Sequence, residues 1–349
     1  MKSAPAATRR LVRCSIGAET YFIDNEWLDS IQVMDNLYPS RGENGSIGWI
    51  RRFDEKVPVF RLADQIHSVA RPSARQGVIL VLKHNRRLWA LLVDRVMGAK
   101  QIPMERMLPL PAIVGDFNCN RFPYVIADEE GLALFLAPDQ VVPGEISGAR
   151  GAHPSPAAHF SHVRAAIDRR LSSASKDPAS TGPASHKPGR QIITFSVEHG
   201  KKLSVPIRFA ISAGQALEIL SDPPMIPIPD SPPFVLGLAN WRNLPVPVLD
   251  LAGAMGMPSC LYRPGSRLLV ARGTATVDRI RRDAGLVAIS SVDEIQKLEL
   301  PIDYTPWKEG VAWNASLALG IYRFNRSMLV VPDLDALASF HRNVPAYTM

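Results

Sequence analysis

Apolar residues along this chain come in short alternating or continuous runs, broken by clusters of Gly, Pro, Asn, Asp and Ser. From Leu11 the alternation passes through Arg13 to Ile16, turns at Gly17-Ala18-Glu19 and resumes as Tyr21-Phe22-Ile23, which predicts a hairpin. Trp27, Leu28, Ile31 and Met34 fall at roughly helical spacing and predict one or two helical turns leading into a strand. Farther on, Phe234–Ala239 and Leu244–Leu249 read as two strands joined by the longer polar loop Asn240-Trp241-Arg242-Asn243. Pro245 and Pro247 remove ladder donors, so the second of these strands is expected at a sheet edge or with a bulge. Asp250 is placed to cap a short helical turn carrying Leu251, Ala252, Ala254 and Met255. Many short strands at close spacing point to small barrels rather than parallel βαβ units.

The pattern occurs twice. Gly48 precedes Val57-Pro58-Val59 and Leu62 at the same offsets by which Gly237 precedes Val246-Pro247-Val248 and Leu251, 189 residues later. After each motif come a short helix (Ala63–Val69; Ala252–Met257), apolar strands (Val78–Leu82 and Leu88–Val96; Leu268–Val270 and Leu286–Val292), then a last strand and helix (Leu132–Leu136 and Pro138–Val142; Met328–Val331 and Pro332–Phe340). Between the copies, residues 143–190 are dominated by Ala, Ser, Pro and Gly and read as a flexible linker. Within it Phe160, Val163, Ile167 and Leu171 share one helical face: an exposed spacer or a short docking helix. The expected organisation is a basic disordered tail (1–10), domain 1 (11–142), the linker, domain 2 (191–340) and a C-terminal tail (341–349), with the two domains folding independently.

Composition is globular, 46% hydrophobic and 21% charged, and the 30 prolines argue for loops and edges over long helices. No run approaches the ~20 apolar residues of a membrane helix, and no secretory apolar core follows the basic start, so the chain reads as cytoplasmic. The net charge of +7 is confined: Lys2, Arg9 and Arg10 carry +3, and seven basic against three acidic residues in 143–190 carry +4. Both domains are then near neutral, which argues against nucleic acid. Cys14, Cys119 and Cys260 are scattered free thiols, and His159 with His162 lacks a third ligand, so no metal is expected. Neither a phosphate-cradling glycine loop nor a nucleophile elbow is present, and no cofactor or enzymatic activity is expected.

Pro233, Phe234, Val235, Gly237, Asn240, Arg242, Val246, Pro247, Val248, Asp250 and Leu251 together resemble the signature of the CheW-like domain, the coupling module of bacterial chemotaxis arrays. Asn243 departs from it, standing where the family usually has Gly. The first copy departs further, with Arg51, Phe53 and Arg61 at the positions of Asn240, Arg242 and Asp250. The resemblance implies an all-β fold with short helices: two CheW-like domains, each a pair of five-stranded SH3-like barrels. It also implies a non-enzymatic scaffold whose partners are a CheA-type histidine kinase, through its regulatory domain, and chemoreceptor cytoplasmic tips, placing it at membrane-associated receptor arrays without membrane insertion. An adaptor that recruits another protein, for instance to a cell pole, is the alternative.

The candidate partner-binding residues are Glu218, Gly237, Asn240, Trp241 and Arg242. Arg242 offers a planar donor fork to carboxylates or carbonyls. By resemblance Arg242 and Asn240 belong to the receptor groove, with Glu218 beside it. Gly237 allows close backbone approach or a bulge. Trp241 and Trp49 are either exposed anchors or aromatic core. The second copy is expected to keep the family-type contact. Phe53 has either turned inward or lies exposed.

Overall fold

A computed structural model describes residues 7–142 except 41, 43, 69 and 71–76, and residues 191–339 except 198–205, 258–265, 274–285, 300–304 and 307–314. The expected linker, with its Phe160–Leu171 stripe, and the C-terminal tail lie outside the described residues. Strands dominate. In the first repeat they are β1 Thr8–Ile16, β2 Glu19–Asp24, β3 Leu28–Val33, β4 Tyr38–Pro39, β5 Gly48–Arg52 and β6 Glu55–Arg61, followed by β7 Val78–His84, β8 Arg87–Val93, β9 Arg95–Pro103, β10 Met107–Pro109, β11 Tyr124–Asp128 and β12 Gly131–Phe135. The second repeat has β13 Gln191–Val197, β14 Ile207–Ser212, β15 Ala216–Ser221, β16 Met225–Ile226, β17 Val235–Trp241 and β18 Leu244–Leu249, then β19 Arg267–Arg272, β20 Leu286–Ile289, β21 Val292–Glu299, β22 Thr305–Pro306, β23 Ala318–Phe324 and β24 Ser327–Pro332. The described helices are short: α1 Leu62–Gln65, α2 Asp116–Arg121, α3 Leu251–Ala254 and α4 Leu334–Ser339. The chain forms two compact units that largely follow the two repeats.

Each repeat holds two six-stranded sheets, ordered β10-β11-β12-β2-β1-β9 and β3-β7-β8-β6-β5-β4 in the first, β21-β13-β14-β24-β23-β22 and β15-β19-β20-β18-β17-β16 in the second. Five strands were expected, and the sixth has a simple origin. In every sheet the two outermost strands are consecutive in the chain, β9 with β10, β3 with β4, β15 with β16 and β21 with β22. The 3-10 turns Met104–Arg106 and Met34–Asn36 break one strand into two halves that take opposite edges, which curls the sheet into a small barrel. Counted by continuous segments, each first-repeat barrel is five-stranded. Each first-repeat barrel encloses its own core, one built around Leu11, Phe22, Met107 and Ile126, the other around Ile50, Val59, Ile79 and Ala90.

Several local expectations need correction. Thr8–Arg10 are not tail: they pair with Gln101–Pro103 as the start of β1. Leu28 and Ile31 belong to a strand of strictly alternating burial, preceded by a single 3-10 turn at Asn25–Trp27. The stretch Leu88–Val96 breaks at Asp94, whose carboxylate accepts from the Gly17 amide at 2.7 Å, because the chain there leaves one sheet for the other. Leu286–Val292 breaks likewise at Ser290-Ser291.

Candidate functional site

The second-repeat hairpin is tighter than its sequence suggests. Asn240 pairs with Pro245 and Trp241 with Leu244, so Asn240 and Trp241 belong to β17 and only Arg242-Asn243 turns the chain. Both turn residues have positive φ, 52° and 60°, the requirement of a type I′ hairpin. Gly237 (φ 150°) sits where the register shifts, at a bulge. Nor is β18 an edge strand, since it lies between β17 and β20. Its prolines are tolerated for a geometric reason. With Trp241–Leu244 closing the turn, Pro245 and Pro247 occupy the non-hydrogen-bonded positions opposite β17. Their missing N–H groups therefore face the other side, where among the described residues β20 pairs only with Val248 and Leu249. At the end of β18, Asp250 accepts from Gly253 N at 3.0 Å and caps α3.

The register repeats residue for residue. Gly48–Val59, Trp49–Pro58, Ile50–Val57, Arg51–Lys56 and Arg52–Glu55 mirror the second-repeat pairs from Gly237–Val248 to Trp241–Leu244 at the same 189-residue offset. Phe53 takes the place of Arg242 at φ 52° and is 78% exposed, which settles its two readings in favour of exposure. Gly48 answers the close-approach reading: a Cβ there would stand 2.4 Å from the Tyr38 carbonyl oxygen. Arg61 supplies no side-chain cap to α1.

Three of the five candidate residues converge on one carboxylate oxygen. Glu218 Oε2 accepts from the Trp241 indole Nε1 at 2.8 Å and from the Arg242 Nε at 3.1 Å, and lies 2.9 Å from Arg242 Nη2. The clamp joins β15 to the tip of β17 across the closing side of the barrel. Trp241 itself is buried, the core alternative of its two readings, with the Arg242 guanidinium 5.2 Å from its ring. Arg242 and Glu218 keep 46% and 38% of their side chains exposed. Asn240 adds a buried Oδ1 without a hydrogen-bond partner among the described residues, and Gly237 lies three residues up the strand, outside the cluster.

A tie that the sequence reading missed sits in the first repeat, where Arg52 Nε bonds Asp29 Oδ2 at 3.0 Å. Register places Ser30, not Asp29, opposite Val81 as Glu218 is opposite Val270, and Asp29 is the extra residue of a bulge. The strand-to-hairpin clamp is thus rebuilt from residues one position away on each side. Among the described residues no three His, Cys, Asp or Glu side chains are placed to share a metal ion. Nor, among them, is any helix long and apolar enough to cross a membrane.

Curled five-segment sheets in pairs, with a clamped hairpin tip in each repeat, define a tandem of small β-barrel interaction domains. The family comparison agrees: the CheW-like domain matches residues 10–144 and 191–341, and the chain belongs to that family, with two copies of its domain in tandem. Two relatives are the probable chemotaxis protein CheW of Rhizobium etli, 26% identical over 131 residues (38% of this chain, 80% of that protein), and the chemotaxis protein CheW of Rhizobium meliloti, 24% identical over 149 residues (43% and 87%). Among solved structures, the scaffolding protein TtCheW from Thermoanaerobacter tengcongensis is 17% identical, with a TM-score of 0.35 over 45% of this chain and 93% of that one.

Proposed function

We propose that this chain is a non-catalytic coupling scaffold of a chemosensory pathway. It holds the regulatory domain of a CheA-type histidine kinase beside chemoreceptor cytoplasmic tips, on the cytoplasmic side of membrane-associated arrays. The observation that carries this reading is the Glu218–Trp241–Arg242 cluster, mounted on the signature hairpin of the second of two tandem family domains. Glu218 fixes the guanidinium through Nε and Nη2, so the half-exposed Arg242 fork is held in one orientation and binds at low entropic penalty. Such a fork suits a partner carbonyl or carboxylate. The mechanism is one of contacts alone, without bond making or breaking.

Titration of the full chain against the kinase regulatory domain and a receptor hairpin fragment from the same cell tests it. Arg242→Ala is expected to weaken binding roughly 10- to 100-fold, the value of a charged hydrogen bond of ~1.5–3 kcal/mol. The melting curve should hardly move, because the residue is a turn side chain. Wild-type affinity in Arg242→Ala would remove the second repeat from the contact. Binding to neither fragment would favour an adaptor acting outside the array.

A further inference from the structure

We infer that the outward face of the first-repeat hairpin is a second interaction surface, built for an acidic segment of a partner protein that also carries large apolar side chains. This surface does not depend on the second-repeat contact. Alternation along β5 and β6 puts Trp49, Arg51, Lys56 and Pro58 on the solvent side, opposite the buried Ile50, Val57 and Val59. Arg51 and Lys56 are direct cross-strand neighbours. Because Arg52–Glu55 closes the turn, Arg51–Lys56 is a non-hydrogen-bonded pair, the kind in which side chains approach most closely. Two like charges so placed repel each other and weaken the hairpin. Among the described residues neither meets a carboxylate within ion-pair distance; Lys56 instead lies 4.7 Å from the Trp49 ring centroid. Asp54 occupies the turn, Glu55 points to the opposite face with Arg52, and Arg52 is taken by Asp29.

Apolar contact area adjoins the two cations. Tyr38, 53% exposed, stacks on Trp49 with centroids 4.3 Å apart and planes 10° from parallel, and Phe53 stands 78% exposed at the tip with the Arg52 guanidinium 4.5 Å from its ring. Rigid aromatic rings offer large contact area at little loss of side-chain entropy. The same register positions in the second repeat hold Leu238, Asn240, Pro245 and Pro247, with no charge among them. The basic, aromatic character thus belongs to the first copy alone. An acidic, apolar-bearing segment relieves the Arg51–Lys56 repulsion and covers the rings at once.

The probe is a fluorescein-labelled synthetic peptide alternating Glu/Asp with Phe and Leu, titrated with the full chain by anisotropy at roughly 0.05 and 0.3 M salt. A control peptide has every acid replaced by its amide. The acidic peptide is expected to bind, at least tenfold more tightly than the amide control, with affinity falling at the higher salt. Arg51→Glu/Lys56→Glu is expected to abolish this preference, while Arg242→Ala leaves it unchanged. Should the double reversal fail to fold, Arg51→Gln/Lys56→Gln takes its place and should weaken binding by roughly tenfold. No binding, equal binding of the amide peptide, or retention of the preference in the charge variants would each overturn the assignment.

Discussion

The single oxygen shared by Trp241 and Arg242 makes a sharp prediction about Glu218. In Glu218→Ala the indole N–H, on a side chain only 2% exposed, loses its acceptor inside the fold. A buried donor left unsatisfied costs about 1–3 kcal/mol. The ion pair with Arg242 adds little: its side chains are 46% and 38% exposed, and exposed pairs are worth about 0.2–1 kcal/mol. Glu218→Ala should therefore destabilise the second repeat by about 2.5 kcal/mol, a fall in Tm of roughly 5–10 °C for a domain of this size. Glu218→Gln keeps a carbonyl oxygen for the indole and forfeits only the charge, so it should lose under about 1 kcal/mol. Thermal and urea denaturation of the full chain, followed by tryptophan fluorescence, gives both values. The relevant transition is the one that Glu218→Ala moves and a first-repeat substitution leaves in place. Equal losses in the two variants, or an unchanged Glu218→Ala, would refute the view that the buried indole bond dominates the clamp.

Two further outcomes follow from the first repeat. Gly48→Ala sets a methyl group against the Tyr38 carbonyl and Leu37 Cδ1, and should destabilise that repeat by about 1–3 kcal/mol, the usual range for overpacking, read from its own melting transition. Glu130 accepts from Arg13 first and Lys100 second, which hold its carboxyl down at about 2 from an ordinary 4.5. Because the folded value is the lower one, its contribution is complete above the ordinary value and fades as pH falls through that window toward 2. Glu130→Gln should therefore flatten the acid side of the Tm–pH curve below about pH 4.5; an identical acid limb in both proteins would show that the Arg13–Glu130–Lys100 cluster does not couple to folding.

Much of the architecture was legible because it is local. The β18 strand, its Asp250 cap and the repeated Gly-to-Val-Pro-Val spacing were read correctly, since period-two burial and capping leave their mark within a few residues. The turn was misjudged because arginine is a rare occupant of positive φ, and a polar run of four looks like a longer loop when its first two members are strand residues. Trp27 to Met34 misled in the opposite way: a 3-10 turn running straight into an alternating strand imitates helical spacing over so short a stretch. The clamps were out of reach. Trp241 and Glu218 lie 23 residues apart on strands brought together only by the curl of the sheet. Asp29 is the extra residue of a bulge that the second copy shares at Leu217, and Arg52 stands at the position of Trp241, so matching the motifs position by position put Phe53 opposite Arg242 and could not find the first copy's own clamp.

The prolines of β18 also bear on how molecules of this kind avoid one another. A protein with many exposed ribbons is open to unwanted strand-on-strand joining wherever a ribbon carries a free row of donors and acceptors. Ahead of the two residues that pair with β20 among the described residues, β18 has carbonyls at Pro245 and Pro247 and no N–H to match, so a strand arriving on that side finds half a template. In the first repeat the same span of β6 keeps Pro58 and sets Lys56 where the other proline would be, a charge in place of a missing donor. Both hairpins are thereby closed to ladder extension, and recognition there is left to the side chains they display.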